Sequence, residues 1–462
     1  MKPDVTVIGG GLAGTEAAWQ IARAGGRVHL YEMRPRIATL AHKTDRLGEL
    51  VCSNSLKSDL AGSAPHLLKA ELRRLGSLLI LIADEVKVPA GHALAVDRDA
   101  FARRLTDEIA REPRIKLVRE EVPTLPEDGI TIVASGPLTS GSLSASVARF
   151  TGAENLYFYD AISPIVDATT LDESRLFRAS RYGKGGEDYL NAPLSQEEYL
   201  RFYQALITAE SVPLQSCEQA MYFEACLPLE ELARRGVDTL RFGPMKPVGL
   251  IDPRTGRRAY AVVQLRLENI MADSYNLVGF QNHLRFPEQK RVFRLIPGLE
   301  NAEFLRFGQI HRNTFIQAPR VLQPTLQTKA RPDLFFAGQI CGVEGYVESI
   351  ATGLVASINA CRLAEGRSPV VPPAGTACGS LVRYIAFADP DGFQPANISF
   401  GLLPPSSEEL KSRVRDRKER HRIQVQQALE TMERWIESLP EGQASLQTCA
   451  DGLSSPSGLP PG

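Results

Sequence analysis

The sequence predicts an α/β fold, a Rossmann-like dinucleotide-binding domain interrupted by a smaller α+β insertion domain. Three observations predict it. The β-branched run Val5–Ile8 leads straight into Gly9-x-Gly11-x-x-Gly14 and a stretch of good helix formers. From about residue 150 this pattern gives way to aromatics, charges and short strand-like pieces. At Leu334–Gly338 a buried strand and a Gly-rich turn return, followed by a helix from about Glu348 to Cys361.

The composition narrows the function classes. With 462 residues the chain is longer than one average domain. A hydrophobic fraction of 43 % excludes a disordered or collagen-like chain. The 53 Lys+Arg against 54 Asp+Glu exclude nucleic-acid binding through bulk basicity, so any such partner needs local positive charge. The 7 cysteines are odd in number and form no CxxC, which argues against a disulfide framework, a structural zinc site and a dithiol redox motif. No metal is expected, and a reducing cytoplasm is the simplest compartment. Met1–Asp4 runs directly into a strand pattern, so no signal peptide is expected. The longest apolar run, Leu78–Ala83, is too short to span a bilayer.

Taken in order, the elements fit five segments. Residues 1–150 read as the first part of the dinucleotide-binding domain. Val5–Ile8 is its first strand, about Thr15 to Ala24 its first helix, Gly25-Gly26 the stop and Val28–Glu32 the second strand. Ser63 opens a helix to about Leu75, and Asp97–Arg111 is a helix with Phe101, Leu105 and Ile109 on one face. Ile130–Pro137 is a buried strand ending in a tight turn. Residues 151–330 form the insertion domain, and 331–370 return to the first domain. Residues 371–439 hold an amphipathic helix whose stripe is Val425, Ala428, Leu429, Met432 and Ile436. Residues 440–462, rich in Ser, Pro and Gly, read as a disordered tail.

The glycine motif carries the first functional expectation. Gly9 allows a tight turn, Gly11 lets the backbone approach a pyrophosphate, and Gly14 lets helix and strand pack closely. Gly10, Leu12 and Ala13 complete the loop, and the helix N-terminus favours the phosphates. Glu32 ends the second strand, where a carboxylate accepts hydrogen bonds from a ribose. Two further signals favour FAD over NAD. Val133–Pro137 places Gly136 in a turn beneath the cofactor, and Phe336–Ile340, with Gly338 and Gln339, reads as a late FAD motif with a helix N-terminus aimed at the flavin. Together they predict a flavoprotein of the GR2 type.

At this point the residues resemble one family, the folate- and FAD-dependent tRNA (uracil-5-)-methyltransferases, TrmFO. The resemblance rests on Gly9–Gly14 with Glu32, Glu49–Asp59, Ser180–Lys184 with Tyr189–Asn191, and Tyr222–Pro228. It continues through Gly243–Leu250, Val278–Leu284, Gly308–Phe315, Phe336–Tyr346 and Phe400–Pro405. It spans almost the whole globular part and leaves out the 440–462 tail. One departure is Ala192, where members often carry Cys; either that Cys is not catalytic, the favoured reading, or this chain is impaired.

The resemblance implies C5-methylation of the T-loop uridine of tRNA to ribothymidine. Methylenetetrahydrofolate would supply the carbon, reduced FAD the hydride, and NAD(P)H the electrons that reduce FAD, with the flavin implied as carrier of the methylene. Carbon 5 of uracil is a poor nucleophile until a thiolate adds to carbon 6, so the chemistry wants an activated Cys and a base. Cys226 and Cys52 match the family's two functional cysteines. Cys226, just before Pro228 and a short helix ending at Gly236, is the expected nucleophile at a helix N-terminus. Cys52, in a Ser/Asn-rich turn before Lys57, is the expected general base or partner thiol. The other cysteines have a bland reading, Cys361 in a helix core and Cys341 near the flavin without a role in the chemistry.

Tyr346 follows a Gly-rich turn, where its ring can stack on the isoalloxazine, on the pterin or on an extruded uracil. His311 and Arg312 are candidates for a phosphate or the folate glutamate, and Lys246 for the same. The tRNA T-arm needs a basic surface. Two stretches offer one: Arg234 to Arg266, and Lys411 to Arg422. Interleaved acids favour a solvated face for each. Three rivals remain. A sister flavoprotein family modifies the tRNA wobble uridine but has longer chains. A disulfide-type NAD(P)H–flavin oxidoreductase lacks its cysteine pair here. A flavin-containing tRNA chaperone would bind tRNA without making a methyl product.

Overall fold

Strand β1 (Asp4–Ile8), helix α1 (Leu12–Arg23) and strand β2 (Arg27–Tyr31) open the chain in the order the glycine motif demands. The computed structural model describes residues 4–39, 41–152, 156–183, 186–213 and 227–439, with the side chains of 156–161 and 310–312 outside that description. The expected tail lies outside the described residues. Helix α1 starts at Leu12 rather than near Thr15, because Leu12, Ala13 and Gly14 already form its first turn behind the N-cap Gly11. Gly25, at φ +84°, makes the turn that follows.

The chain continues through β3 (Ser55–Ser58), α2 (Ala64–Arg74), α3 (Leu78–Glu85), β4 (Lys87–Val88), β5 (Ala93–Val96), α4 (Arg98–Arg111), β6 (Ile115–Val118), β7 (Thr131–Val133) and α5 (Gly141–Thr151). Ser63, Ser77 and Asp97 cap α2, α3 and α4, each accepting the N–H three residues on. Then come β8 (Leu156–Ala161), β9 (Ile165–Asp167), β10 (Phe177–Arg178), β11 (Tyr189–Leu194), α6 (Gln196–Ile207), α7 (Leu229–Arg234), α8 (Thr239–Phe242), β12 (Ala261–Leu267), β13 (Ser274–Leu277), α9 (Phe286–Phe293), β14 (Phe304–Arg306) and β15 (Ile310–Phe315). Finally α10 (Ala318–Val321), β16 (Leu334–Phe336), α11 (Tyr346–Ala364), α12 (Ala377–Phe387), α13 (Glu408–Arg413) and α14 (Arg417–Ser438) complete the described chain.

The central sheet is parallel, in the order β16-β7-β1-β2-β6. Its strands are covered on both faces, which is why Val5, Val7, Ile132, Val133 and Phe335 are fully buried. Strand order reverses at β1, with β2 on one side and β7 on the other. A crevice therefore opens beyond the carboxyl ends of β1 and β7, where open α/β sheets bind ligands. Helices α1 and α11 cross closely above it: a Cβ built on Gly353 would fall 2.2 Å from the Ala13 carbonyl oxygen.

A second sheet, in the order β10-β11-β12-β13-β9-β14, is antiparallel. It has its own core, with Tyr199, Phe202, Leu265, Phe280 and Phe293 buried together. Ala192 is fully buried in that core. Asn54, just before β3, reaches this sheet: its Nδ2 donates to the Leu267 carbonyl of β12 at 2.8 Å. The C-terminal stripe Val425, Ala428, Leu429, Met432 and Ile436 is buried as its spacing predicts, with α14 packed on α2. Glu71 of α2 accepts the N–H groups of Ala377 and Cys378 at the start of α12, at 2.6 and 2.8 Å. Burial pushes its carboxyl up to about 7.

Candidate functional site

The crevice is an open cleft whose free space, solvent at its mouth included, is about 1010 Å³. Its floor is the glycine loop. Gly9 sits at φ +110°, and a Cβ there would fall 2.4 Å from the Ala134 carbonyl oxygen. A Cβ on Gly14 would meet the Gly9 oxygen at 1.8 Å, so this position serves packing and does not line the cleft. Gly11 differs: a Cβ there would meet nothing within 4 Å, and the residue faces open cleft at the N-terminus of α1. That α1 end has no side-chain cap. An uncapped helix N-terminus behind a glycine loop is a cradle for a pyrophosphate.

Gly9, Gly11, Leu12, Ala13, Glu32, Gly136, Gly338, Gln339 and Tyr346 all line this one cleft. Gly10 lies just behind it and donates its N–H to Glu32 Oε2 at 2.9 Å. Glu32 Oε1 accepts from the backbone N–H and the Nε of Arg34, at 3.0 and 2.9 Å. Burial opposes the charge on Glu32, but the Arg34 guanidinium and these donors hold its carboxyl below the usual range. Arg34 Nη1 reaches Glu49, whose carboxylate also accepts the N–H groups of Lys43 and Thr44. His42 lines the cleft beside them, and burial, with the charge of Arg34, pushes its imidazole down to about 4. Arg34, His42 and Glu49 were missed from the sequence. Glu49 opens the Glu49–Asp59 motif, which was the available signal.

Tyr346 joins this cleft to the Cys52 turn. Its hydroxyl accepts the N–H groups of Cys52 and Ser53, at 2.8 and 3.1 Å. Burial, with the charge on Cys52, pushes its phenol up. Three arginines from distant elements interact electrostatically with Cys52: Arg98 of α4, Arg266 of β12 and Arg306 of β14. Arg98 Nη1 donates to the Leu50 carbonyl at 2.6 Å and pairs with Glu268. Arg266 donates to Asn54 Oδ1 at 2.9 Å and to Ser53 Oγ at 2.8 Å. Lys57, which follows the turn in sequence, has other partners. The Lys57 ammonium is taken by Glu348 at 3.1 Å, Glu344 at 3.6 Å and Asn397.

Of the remaining expected residues, Lys246 is not among those that line this cleft. Lys246 lies after α8, where its carbonyl accepts from Arg181. His311 and Arg312 have backbones in β15, paired with Asp160 and Tyr159. Their side chains lie outside the description. Cys226, Cys217 and Cys449 lie outside the described residues. Helix α7 begins at Leu229, and Pro228 is its N-cap rather than part of its first turn. Cys341, Cys361 and Cys378 are buried, and burial pushes the Cys341 thiol up to about 12. Of the basic stretches, Arg234, Arg241 and Arg254 are paired with Glu231, Asp238 and Asp252, and Arg266 is buried. Lys411, Arg413 and Arg422 are paired with Glu408, Glu409 and Glu419.

The family model described as Glucose inhibited division protein A matches residues 4–368. Two relatives named methylenetetrahydrofolate–tRNA-(uracil-5-)-methyltransferase TrmFO come from Koribacter versatilis and Solibacter usitatus. They are 60 % and 61 % identical to this chain over 94 % of its length and 98 % and 99 % of theirs. The chain belongs to the TrmFO family. Among solved structures, Aquifex aeolicus GidA in its form II crystal superposes with a TM-score of 0.67 at 19 % identity. It covers 96 % of this chain and only 75 % of its own is covered, so the likeness is one of fold within a longer protein. In this chain the Cys52 turn and the cleft share a wall through Tyr346. No helix among the described residues is long and apolar enough to cross a membrane.

Proposed function

We propose that this chain methylates carbon 5 of the T-loop uridine of tRNA to ribothymidine, taking the carbon from methylenetetrahydrofolate, with FAD in the cleft and NAD(P)H as the reductant. The family activity, folate-dependent tRNA uracil-5-methylation, is that of relatives that match almost the whole chain. The observation that carries the site is Tyr346, which lines the dinucleotide cleft and at the same time fixes the backbone of Cys52. A thiol and a redox cofactor must both reach the reacting base, and this arrangement supplies one wall for both. The open space at Gly11 and the uncapped α1 terminus fit a pyrophosphate, and Glu32 is placed for the ribose.

FAD bound there would supply the hydride that takes the one-carbon unit to a methyl group. The chain's own residues do the rest. The Cys226 thiolate adds to carbon 6 of the uracil as the 5,6 double bond opens, which makes carbon 5 nucleophilic, and it is expelled again when loss of the carbon 5 proton restores that double bond. Cys52 takes the proton from carbon 5 or completes the site, with its backbone held by Tyr346. The uridine must leave the folded T-loop to reach either thiol.

The test is incubation of FAD-loaded protein with unmodified tRNA, methylenetetrahydrofolate and NADH or NADPH, followed by mass spectrometry of the nucleosides. Ribothymidine in the T-loop is the expected product. Modification of the wobble uridine would move the chain to the rival chemistry, and tight tRNA binding without any methyl product would leave the chaperone reading. Binding that does not weaken as salt rises would contradict phosphate contacts from the basic stretches.

A further inference from the structure

We propose that Arg98 and Arg266 are positioning residues that hold Cys52 as a thiolate and aim it, with Glu268 setting how much of their charge reaches it. The inference rests on the reading of Cys52 as a working thiol. It replaces Lys57, the neighbour in sequence, with two residues far from it in the chain.

The geometry brackets Cys52 on both sides. Upstream, Arg98 Nη1 holds the Leu50 carbonyl at 2.6 Å. Downstream, Arg266 Nη2 holds Ser53 Oγ at 2.8 Å and its Nε holds Asn54 Oδ1 at 2.9 Å. Asn54 is itself fully buried and tied to the Val96 and Leu267 carbonyls. The turn is thus fixed at residues 50, 53 and 54 by guanidinium groups or by a side chain they bind. Arg266 and Arg306 are both buried, so their charge is poorly screened by water.

Charged groups from several elements converge on the cluster around the Cys52 turn. Helix α4 brings Arg98, β12 brings Arg266 with Glu268 just beyond it, and β14 brings Arg306. Helix α11 brings the Tyr346 hydroxyl. The 41–49 loop brings His42, whose imidazole is pushed down to about 4, and Lys43, whose ammonium is destabilised by burial and by Arg306 and Arg98. Glu49 in that loop is spent on Arg34. Lys57 is spent on Glu344 and Glu348. Glu268 is the carboxylate left to oppose the arginines. It pairs with Arg98 at 2.9 Å through Oε2, while its Oε1 is buried without a hydrogen-bond partner among the described residues. The cluster carries like charges that destabilise one another: Arg98 lowers the proton affinity of both Arg266 and Arg306. A negative sulfur relieves that repulsion, and the proton of the Cys52 thiol leaves to solvent as it forms.

The experiment is the pH dependence of Cys52 alkylation by iodoacetamide, read by peptide mass spectrometry on the full chain with FAD added, in parallel with methyl transfer. Arg98→Gln and Arg266→Gln should each raise the midpoint by about one pH unit, a roughly tenfold loss of thiolate at neutral pH. Glu268→Gln should move the midpoint down, because it removes the opposing charge and keeps the shape. Arg266→Lys keeps the charge and loses the paired contacts, so it should hold the midpoint near wild type while slowing methyl transfer. A variant that only loosens the turn would speed alkylation at every pH and leave the midpoint in place. Midpoints unmoved in folded Arg98→Gln, Arg266→Gln and Glu268→Gln would overturn the proposal. Where a Gln variant does not fold, the downward shift in Glu268→Gln still decides it. Full methyl transfer in Cys52→Ala would sink the role of the thiol and leave the charge assignment standing, so the two failures are distinct.

Discussion

The glycine cradle and the Cys52 turn line the same region of the molecule but are built in opposite ways. The cradle is local: Gly9, Gly11, Gly14 and Glu32 lie within one βαβ unit, and steric fit does its work, with a Cβ on Gly14 falling 1.8 Å from the Gly9 oxygen. The Cys52 turn is assembled from afar. Its fixing groups come from α4, β12 and α11, with the charge of Arg306 of β14 added, and charge and hydrogen bonding do its work. A site made by exclusion of atoms should fail abruptly when one atom is added. A site made by convergent polar groups should fail by degrees.

The largest effect tests the cradle. Gly14→Ala drives a methyl group into the Gly9 backbone, and a loss of roughly 3 kcal/mol or more is expected, with loss of bound flavin. Thermal melts and flavin absorbance read both, and a variant that melts like wild type would end the steric account. Next is Cys52→Ala, which should cut methyl transfer at least ~100-fold while flavin stays bound. Cys226→Ala should behave alike. Retained activity in either would remove that thiol from the mechanism. Tyr346→Phe is graded: it keeps the ring in the cleft but takes the acceptor from the Cys52 and Ser53 N–H groups, worth about 1–3 kcal/mol. Flavin binding should survive, with slower methyl transfer; equal rates would show that the link between cleft and turn is idle.

The smallest effect is a pH dependence. His42 has its proton affinity lowered in the folded chain, to about 4 against 6.5. The unfolded chain therefore binds more protons between those values, so its contribution to stability is present above about pH 6.5 and is lost as pH falls toward 4. His42→Gln should flatten that part of the stability curve in denaturant titrations at several pH values. A curve of unchanged slope would show that His42 is not the titrating group.

What was legible in the sequence follows the same division. The βαβ start, the caps Ser63 and Asp97, and the α14 stripe were readable because each depends on neighbours within a few residues. The expected start of α1 at Thr15 was late because glycine in a helix weighs against the pattern, although Gly14 is held there by packing. Arg98 and Arg306 were not legible, since nothing local separates an arginine that turns inward from one on a solvated face. Lys57 shows the same limit: its sequence position is close to Cys52, but its left-handed backbone, at φ +63°, accompanies a side chain bound by Glu348. The first basic stretch also divides, with Arg266 buried against Ser53 while Arg257 and Arg258 are exposed.

The parallel sheet has a consequence for how the chain is made. Strand β7 ends at Val133, and its outer neighbour β16 begins at Leu334, with residues 134–333 between them. Helix α1 likewise finds its close partner only at Gly353 of α11. As the chain leaves the ribosome, the nucleotide-binding half therefore waits with one sheet edge unpaired while the whole antiparallel sheet is synthesised. An open parallel edge is a template for wrong partners. The inserted sheet closes its own core from local antiparallel pairs and can fold during that wait. Cofactor loading then comes late in biogenesis, after Gly338 and Tyr346 have emerged to complete the cleft.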